Sequence, residues 1–451
     1  MQTSLERLGQ FVTNHRFDAD RKRRLVIRNL LIDCYGCMLI GAQQPIVKKS
    51  MSALTASGLI NPNASTPVYG SDIKASVAGS AMLNSIAGHA LDFDDWEVPG
   101  NTHVSNMLVP AILAASHARG LSGGQMIDAY IVGYEVIARI GMAINLEHYD
   151  RGWHATATLG AIGVAASVAR VLNLDAEQST HAMAIAVSRA QGFTAQFGSE
   201  SKPLQVGMAC EGGLQAACFA AAGLSGQPHM LDHAKGLIAL MGHDQAQRLP
   251  TALQSLGHEL TIDVHGIVVK PWPCCGYTHR ILTAILELRA SGVEAQAIEQ
   301  IECHLPDMHA GILPFKHPLN RSEALFSLPY CAAMVILNGE LTIADLEVAS
   351  WQQAEVKTLI DKISIHPFKP IRPELNYDPE QPDRIIVRGH KLATTIEVAY
   401  PLGAPQNPMD EAQLIDKFTR NAVAAGFDGS RLVSELREWP ESDNIHPLLS
   451  V

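Results

Sequence analysis

Basic stretches are nearly missing from this 451-residue chain: the only run is "RKRR" at 21–24, and the net charge is −11. A surface of that sign is a poor partner for nucleic acid or an anionic membrane, and the run itself reads as a solvated helix start. A small anionic substrate would therefore need a locally basic pocket. Uninterrupted apolar runs of bilayer length are missing too, since stretches such as "LGAIGVAASVARVLNL" are broken by Arg, Ser and Gly, so no membrane partner is expected. The first residues, "MQTSLERLGQFVTNHRFDADRKRR", lack the basic and apolar regions of a secretory signal. Cysteine is sparse, at eight, and several cysteines sit in apolar helical patterns. That usage suits buried, reduced thiols and a cytoplasmic location better than a disulfide framework. No short-period repeat suggests a solenoid.

What is present is apolar. Hydrophobic residues make up 47% and charged residues only 18%, enough to bury large cores, and the length suits two domains. Up to about residue 265 the chain is a succession of Ala- and Gly-rich helical patterns, such as "ASVAGSAMLNSIAGHALDF", "NMLVPAILAASHARG" and "TATLGAIGVAASVARVLNL". Beyond "LTIDVHGIVVKPWP" the texture changes. "IEQIECHLP", "KISIHPF" and "DRIIVRGHKLATTIEVAYPL" read as strands, and "TAILELRAS" and "EALFSLPYCAAMVILNG" as helices. The last stretch, from "DEAQLIDKFTRNAVAAGF", returns to a helical pattern that can rejoin the first domain.

Against this background "HALDFDDWEVPGNTH", residues 89–103, places four carboxylates and two histidines in fifteen positions. Charges gathered and desolvated in this way shift one another's pKa values, which marks a working site more often than a solvated face. If the preceding helix runs on through the motif, Asp92 and Asp95 share a face. Pro99 and Gly100 then force a loop that delivers His103 to the next helix. His154 stands at the start of a small-residue helix, and Lys202 precedes Pro203. "VVKPWPCCGYTHR" offers Lys270, Tyr277, His279 and Arg280 around a rigid bend, and "RSEALFSLPYCAAM" offers Arg321 and Tyr330. Taken singly, each has a structural reading: a capped core histidine, or an exposed lysine beside a proline.

Taken in order, "HALDFDD", "GWHATATLGAIGVAA", "SKPLQVG", "KPWPCCGYTH" and "EALFSLPY" resemble the MmgE/PrpD family, which includes 2-methylcitrate dehydratase, cis-aconitate decarboxylase and iminodisuccinate epimerase. The resemblance implies a mostly α fold: a large all-helical domain built from both termini, 1–266 and 406–451, with a smaller α+β lid domain inserted at 267–405. It also implies a homodimer and a cleft between the domains. Asp92, His103, His154, Lys202 and Tyr330 are the implied catalytic residues. Lys270, with His279, Arg280 and Trp96, would bind substrate. Trp96 and Val104 stand where dehydratase- and decarboxylase-like members tend to carry a small hydroxyl residue and a proline.

Removing a proton α to a carboxylate puts charge on that carboxylate, so a site without metal or cofactor needs cations and donors aimed at its oxygens. Lys202, Lys270 and a histidine can supply them, and a second imidazole or Tyr330 can carry the proton. The expected activity is methylcitrate-type dehydration of a small di- or tricarboxylate, with iminodisuccinate-type epimerisation as the alternative and cis-aconitate decarboxylation as a further one. Two rivals stand apart in class. "CYGC" at 34–37 tempts an iron–sulfur reading but lies in a helical pattern. A non-enzymatic helical scaffold leaves the His, Lys and Asp segments at helix ends unexplained.

Overall fold

Small residues let the helices of the first part approach closely. A side chain at Gly41 would collide with the Ala87 carbonyl, and one at Gly213 with the Ala161 carbonyl, so the helices Arg21–Gly41 and Val77–His89, and Ala155–Val171 and Ser201–Ala221, pack almost backbone to backbone. This computed structural model describes residues 2–16, 20–242 and 248–449. Local signals set the helix starts. Asp20 caps the helix that opens with "RKRR", Ser76 caps Val77–His89, and Ser122 with Gln125 forms a capping box at Gly123–Ile144. The helix Ala155–Val171 is buried on every side through Ala169, as its all-round apolar sequence requires.

A two-stranded ribbon, β1 (Thr66–Pro67) and β2 (Lys74–Ala75), precedes the helix Val77–His89. The main sheet lies in the second part: β3 (Gln300–Pro306), β4 (Ile363–Phe368), β5 (Asp383–Gly389) and β6 (Leu392–Val398), in the order β4-β3-β5-β6. β3 and β4 are parallel, and the other pairs are antiparallel. Ile301, Cys303 and Leu305 on β3 and Ile385 and Val387 on β5 alternate into a core shared with the helices His279–Ala290 and Leu328–Asn338. The single helix expected over "EALFSLPYCAAMVILNG" is broken in two. Arg321–Ala324 ends, and Ser327 caps a new helix at Leu328–Asn338 with Pro329 in its first turn.

The helices Glu411–Ala424 and Gly429–Arg437 return to Arg21–Gly41, where Leu414, Phe418 and Leu432 join the larger core beside Leu31 and Tyr35. Both ends of the chain thus build the helical part, with the α+β part between them. Cys37, Ile40, Leu91, Phe93, Tyr149 and Ala155 belong to helical elements or their loops yet pack into the α+β core. This seam flanks Asp92. Among the described residues no single helix is long and apolar enough to cross a membrane.

Candidate active site

The helix Val77–His89 does not run through the acidic motif. It ends at His89, and Asp92 adopts φ +49°, a left-handed conformation that aspartate tolerates better than most residues. Asp92 and Asp95 therefore do not share a helical face. Asp95 turns away to accept hydrogen bonds from the Ser105 amide and hydroxyl, and the Ser105 Oγ also meets the Tyr130 hydroxyl at 2.7 Å. The loop after it is tied internally: Glu97 accepts from the Gly100 amide at 2.8 Å and the Thr102 hydroxyl at 2.7 Å, and its own amide donates to the Thr102 carbonyl. Burial pushes Asp95 up to about 8 and Glu97 up to about 7, against the hydrogen bonds that pull each down. This folded loop delivers His103 to the start of the helix Val104–Ser116, with its amide bonded to the Thr156 hydroxyl at 3.1 Å.

Asp92 is the hub of the cluster. Lys270 Nζ lies 2.5 Å from Oδ1, Lys202 Nζ 3.0 Å from Oδ2 and His103 Nε2 3.5 Å from Oδ1. Asp94 serves the imidazoles, with His89 Nδ1 at 2.9 Å and His103 Nδ1 at 3.3 Å. Burial alone would raise both carboxyls, but the lysines hold Asp92, and His89 and His103 hold Asp94, well below the usual carboxylate range. His103 is pushed down to about 3 by burial despite Asp94, and burial with the Lys202 charge pushes His154 down as well. Both imidazoles are therefore neutral, and burial disfavours their protonated forms.

The tautomer of His154 follows from its neighbour. Gln205 Oε1 accepts from the Phe193 amide at 2.8 Å, which fixes the amide orientation, and lies 3.2 Å from His154 Nδ1. Nδ1 must then carry the proton, leaving a lone pair on Nε2, which is buried without a hydrogen-bond partner in a residue lining the same chamber.

Asp92, His103, His154, Lys202, Lys270 and Trp96 all line one chamber at the seam. Its free volume is about 30 Å³, room for roughly one water. Next to it lies a cleft of about 520 Å³ that shares Asp92, Lys202 and Phe326 with the chamber. Lys202 Nζ sits between the rings of Phe197 and Phe326, at 5.1 and 5.2 Å from their centroids.

Three expected residues are not brought to the chamber. The turn Gly276–Thr278 leads directly into the helix His279–Ala290, whose rotation carries His279 and Arg280 into the α+β core. There His279 Nε2 lies 3.5 Å from Cys274 Sγ, and Arg280 pairs with Asp383 at 2.5 Å. Tyr330 lies one turn inside the helix capped by Ser327, edge-on to Trp351, while Phe326, just before the cap, faces the chamber. The phenols at the chamber are Tyr149 and Tyr277, and the Tyr277 hydroxyl accepts from Asn101 Nδ2 at 2.9 Å. Sequence reasoning also missed His89 and Asp94, although both stand in the quoted acidic motif, Phe326, although it stands in "EALFSLPY", and Tyr149 and Phe197, for which no sequence signal stands out.

The fold gathers a donor set that no linear spacing announces. Ligand atoms of His89, Asp92, Asp94 and His103 lie within 4.8 Å of one another. One of the four, Asp92, already carries two ammonium groups, Lys202 and Lys270.

The MmgE/PrpD N-terminal domain matches residues 6–249, and the MmgE/PrpD C-terminal domain matches residues 272–432. The chain belongs to the MmgE/PrpD family. Its relatives include cis-aconitate decarboxylase of Homo sapiens, 26% identical over 415 residues, which is 88% of this chain and 82% of the relative. The Mus musculus cis-aconitate decarboxylase is 27% identical over 91% of this chain and 84% of its own length. That of Aspergillus terreus (strain NIH 2624 / FGSC A1156) is 26% identical over 94% and 90%. The C-terminal MmgE/PrpD match runs to residue 432, and so takes in Glu411–Ala424, a helix that packs against the helical part.

Proposed function

We propose that this MmgE/PrpD protein is a lyase that makes and quenches a carbanion α to a carboxylate of a small tricarboxylate. The observation that carries the reading is the placement of two buried ammonium groups, Lys202 and Lys270, on one carboxylate beside two neutral imidazoles. A substrate carboxylate that competes with Asp92 for those ammoniums would have its developing enediolate charge stabilised where water is scarce. His154 Nε2 offers a lone pair for proton removal, and His103, set between Asp92 and Asp94, is placed to hold and return a proton.

In decarboxylation the bond to the departing carboxylate breaks and CO2 leaves. The electron pair left behind spreads into a remaining carboxylate until a proton from the site quenches it. In dehydration an imidazole takes the α proton, and the pair forms an alkene as the neighbouring hydroxyl leaves with a proton as water. The names of the relatives favour cis-aconitate as the first substrate to test, ahead of methylcitrate-type dehydration and iminodisuccinate-type epimerisation.

NMR of each candidate with the protein in D₂O separates the three. Decarboxylation releases CO2 and places deuterium at the quenched carbon, dehydration yields an alkene resonance, and epimerisation exchanges the α hydrogen with the skeleton intact. Absence of both turnover and exchange with every tricarboxylate would overturn the reading.

A further inference from the structure

Two successive carbonyls of the left-handed turn in the acidic motif are held by ammonium groups from distant parts of the chain. Lys270 Nζ donates to the Asp92 carbonyl at 2.8 Å, and Lys417 Nζ donates to the Phe93 carbonyl at 2.8 Å. Lys417 belongs to the helix Glu411–Ala424, which packs on the helix Arg21–Gly41 of the helical core. Its ammonium also pairs with Asp33 at 2.6 Å and lies 4.0 Å from the centroid of the Phe93 ring. Lys417 and Asp33 are both almost fully buried, and neither lines the chamber.

Proton transfer as derived above has no use for this pair. Its place in the loop gives it one. Phe93 is the single residue between Asp92, whose carboxylate goes to the lysines, and Asp94, whose carboxylate goes to the histidines. A non-glycine residue stays in the left-handed region only where its surroundings over-determine it. Here the peptide on the carboxyl side of Asp92 is fixed at its own carbonyl by Lys270 and at the next by Lys417. A burial requirement alone would be met by an apolar side chain. An ammonium with its counterion, aimed at a main-chain oxygen, supplies direction as well.

We infer that Lys417 is a positioning residue for the reaction: through the Phe93 carbonyl it holds the turn that sends Asp92 to Lys202 and Lys270, and Asp94 to His89 and His103. This inference rests on the proposed proton-transfer reading for its kinetic consequence, and on the geometry alone for its structural one.

The decisive variant is Asp33→Leu/Lys417→Met, because replacing a buried ion pair by apolar groups of similar volume is often neutral for folding. The double variant should remain folded while its kcat on the tricarboxylate falls about 100-fold and KM changes less than about threefold. Asp33→Asn, which keeps the Lys417 bond to Phe93, should lose stability but hold kcat near wild type. In parallel, NMR of protein with ¹³C-labelled histidine follows His103, assigned by its loss in His103→Gln, and its titration should move in the double variant and stay in Asp33→Asn. Should the double variant not fold, Asp33→Asn/Lys417→Met, which removes both charges and the donor to Phe93, takes its place with the same expectations. Wild-type kcat with an unmoved His103 titration overturns the inference. If the wild-type protein turns over no tricarboxylate, the functional reading fails, and the His103 titration alone decides whether Lys417 positions the turn.

Discussion

Lys270 holds Asp92 at two points, the carboxylate at 2.5 Å and the carbonyl at 2.8 Å. Lys202 reaches the same side chain at one point, 3.0 Å away. The two lysines therefore differ in what they do for the folded state. Burial lowers both, but for Lys270 the attraction of Asp92 and Asp94 wins and its pKa is raised, whereas for Lys202 burial wins and its pKa is lowered. A raised lysine contributes stability that is present below its unfolded value and is lost as pH rises through its folded value. A lowered one opposes folding below its folded value, and that penalty is relieved as pH rises toward its unfolded value.

Lys270→Met should accordingly destabilise the protein by about 3–5 kcal/mol, the usual result of stripping one partner from a buried pair. Lys202→Met should leave stability near wild type and weaken tricarboxylate binding by about 1.5–3 kcal/mol, the worth of a hydrogen bond to a charged group. Urea unfolding with calorimetric titration checks both. Equal unfolding midpoints for the two variants would show that the division of labour is wrong.

The two chamber imidazoles, His103 and His154, set the acid side of the pH profile. Burial drives His103 down to about 3 and His154 in the same direction, so both stay deprotonated well below the pH at which a free histidine titrates. The rate should then show no acid limb near pH 6.5, the ordinary imidazole value, and should hold flat down to about pH 5. Stability moves the other way. The unfolded chain takes up protons that the folded His103 refuses, so the protein loses stability as pH falls from the ordinary imidazole value toward about 3. His103→Gln should cut turnover by about 10²–10⁴-fold. A limb near pH 6.5 in wild type that disappears in His103→Gln would mean that His103 titrates normally.

How much of this was legible beforehand depended on what kind of contact each feature makes. Helix starts at Ser76 and Ser122, and strands at "IECHLP" and "DRIIVRG", follow local rules of capping and alternation, and the chain obeys them. The family motifs led to Asp92, His103, His154, Lys202, Lys270 and Trp96, which all line one chamber. They do not settle outcomes that hang on one turn of rotation. His279 and Tyr330 lie within a few residues of Tyr277 and Phe326, and only the position of a helix start decides which of each pair faces the cleft. The left-handed turn at Asp92 was hidden for a related reason, since the groups that impose it come from residues 270 and 417.

Asp95 offers a pH test of stability away from the chemistry. Its folded pKa is raised to about 8 from the 3.8 of a free aspartate, so between those values the folded protein binds a proton that the unfolded chain has released. Stability attributable to this group falls as pH rises through that window, and the penalty is complete above about 8. Asp95→Asn carries no such penalty while keeping an acceptor for Ser105. The melting temperature of Asp95→Asn relative to wild type should climb steadily between pH 5 and pH 8, measured at fixed ionic strength. A constant difference would place Asp95 in its ordinary range.

Tyr277 and Tyr330 differ in whether they can serve the chamber. Tyr277 accepts from Asn101 and donates to Asn376 Oδ1 at 3.3 Å, and its ring stacks on His309 with centroids 4.0 Å apart. It is thereby held at the chamber wall next to Trp96, beside the loop that carries His103. Burial raises both Tyr277 and Tyr330 far above physiological pH, so either can act only as a hydroxyl and neither as a phenolate base. Tyr330, in contrast, packs inside the α+β core against Trp351. Tyr277→Phe should therefore lower kcat/KM on the tricarboxylate by about tenfold or more. It leaves Asn101 and Asn376 without their shared hydroxyl, a loss worth about 1–3 kcal/mol when the groups are buried. Tyr330→Phe should change thermal stability slightly and turnover not at all. If Tyr330→Phe abolished turnover in a folded protein while Tyr277→Phe did not, the proton path would have to run through the α+β core instead of the chamber lined by His103 and His154.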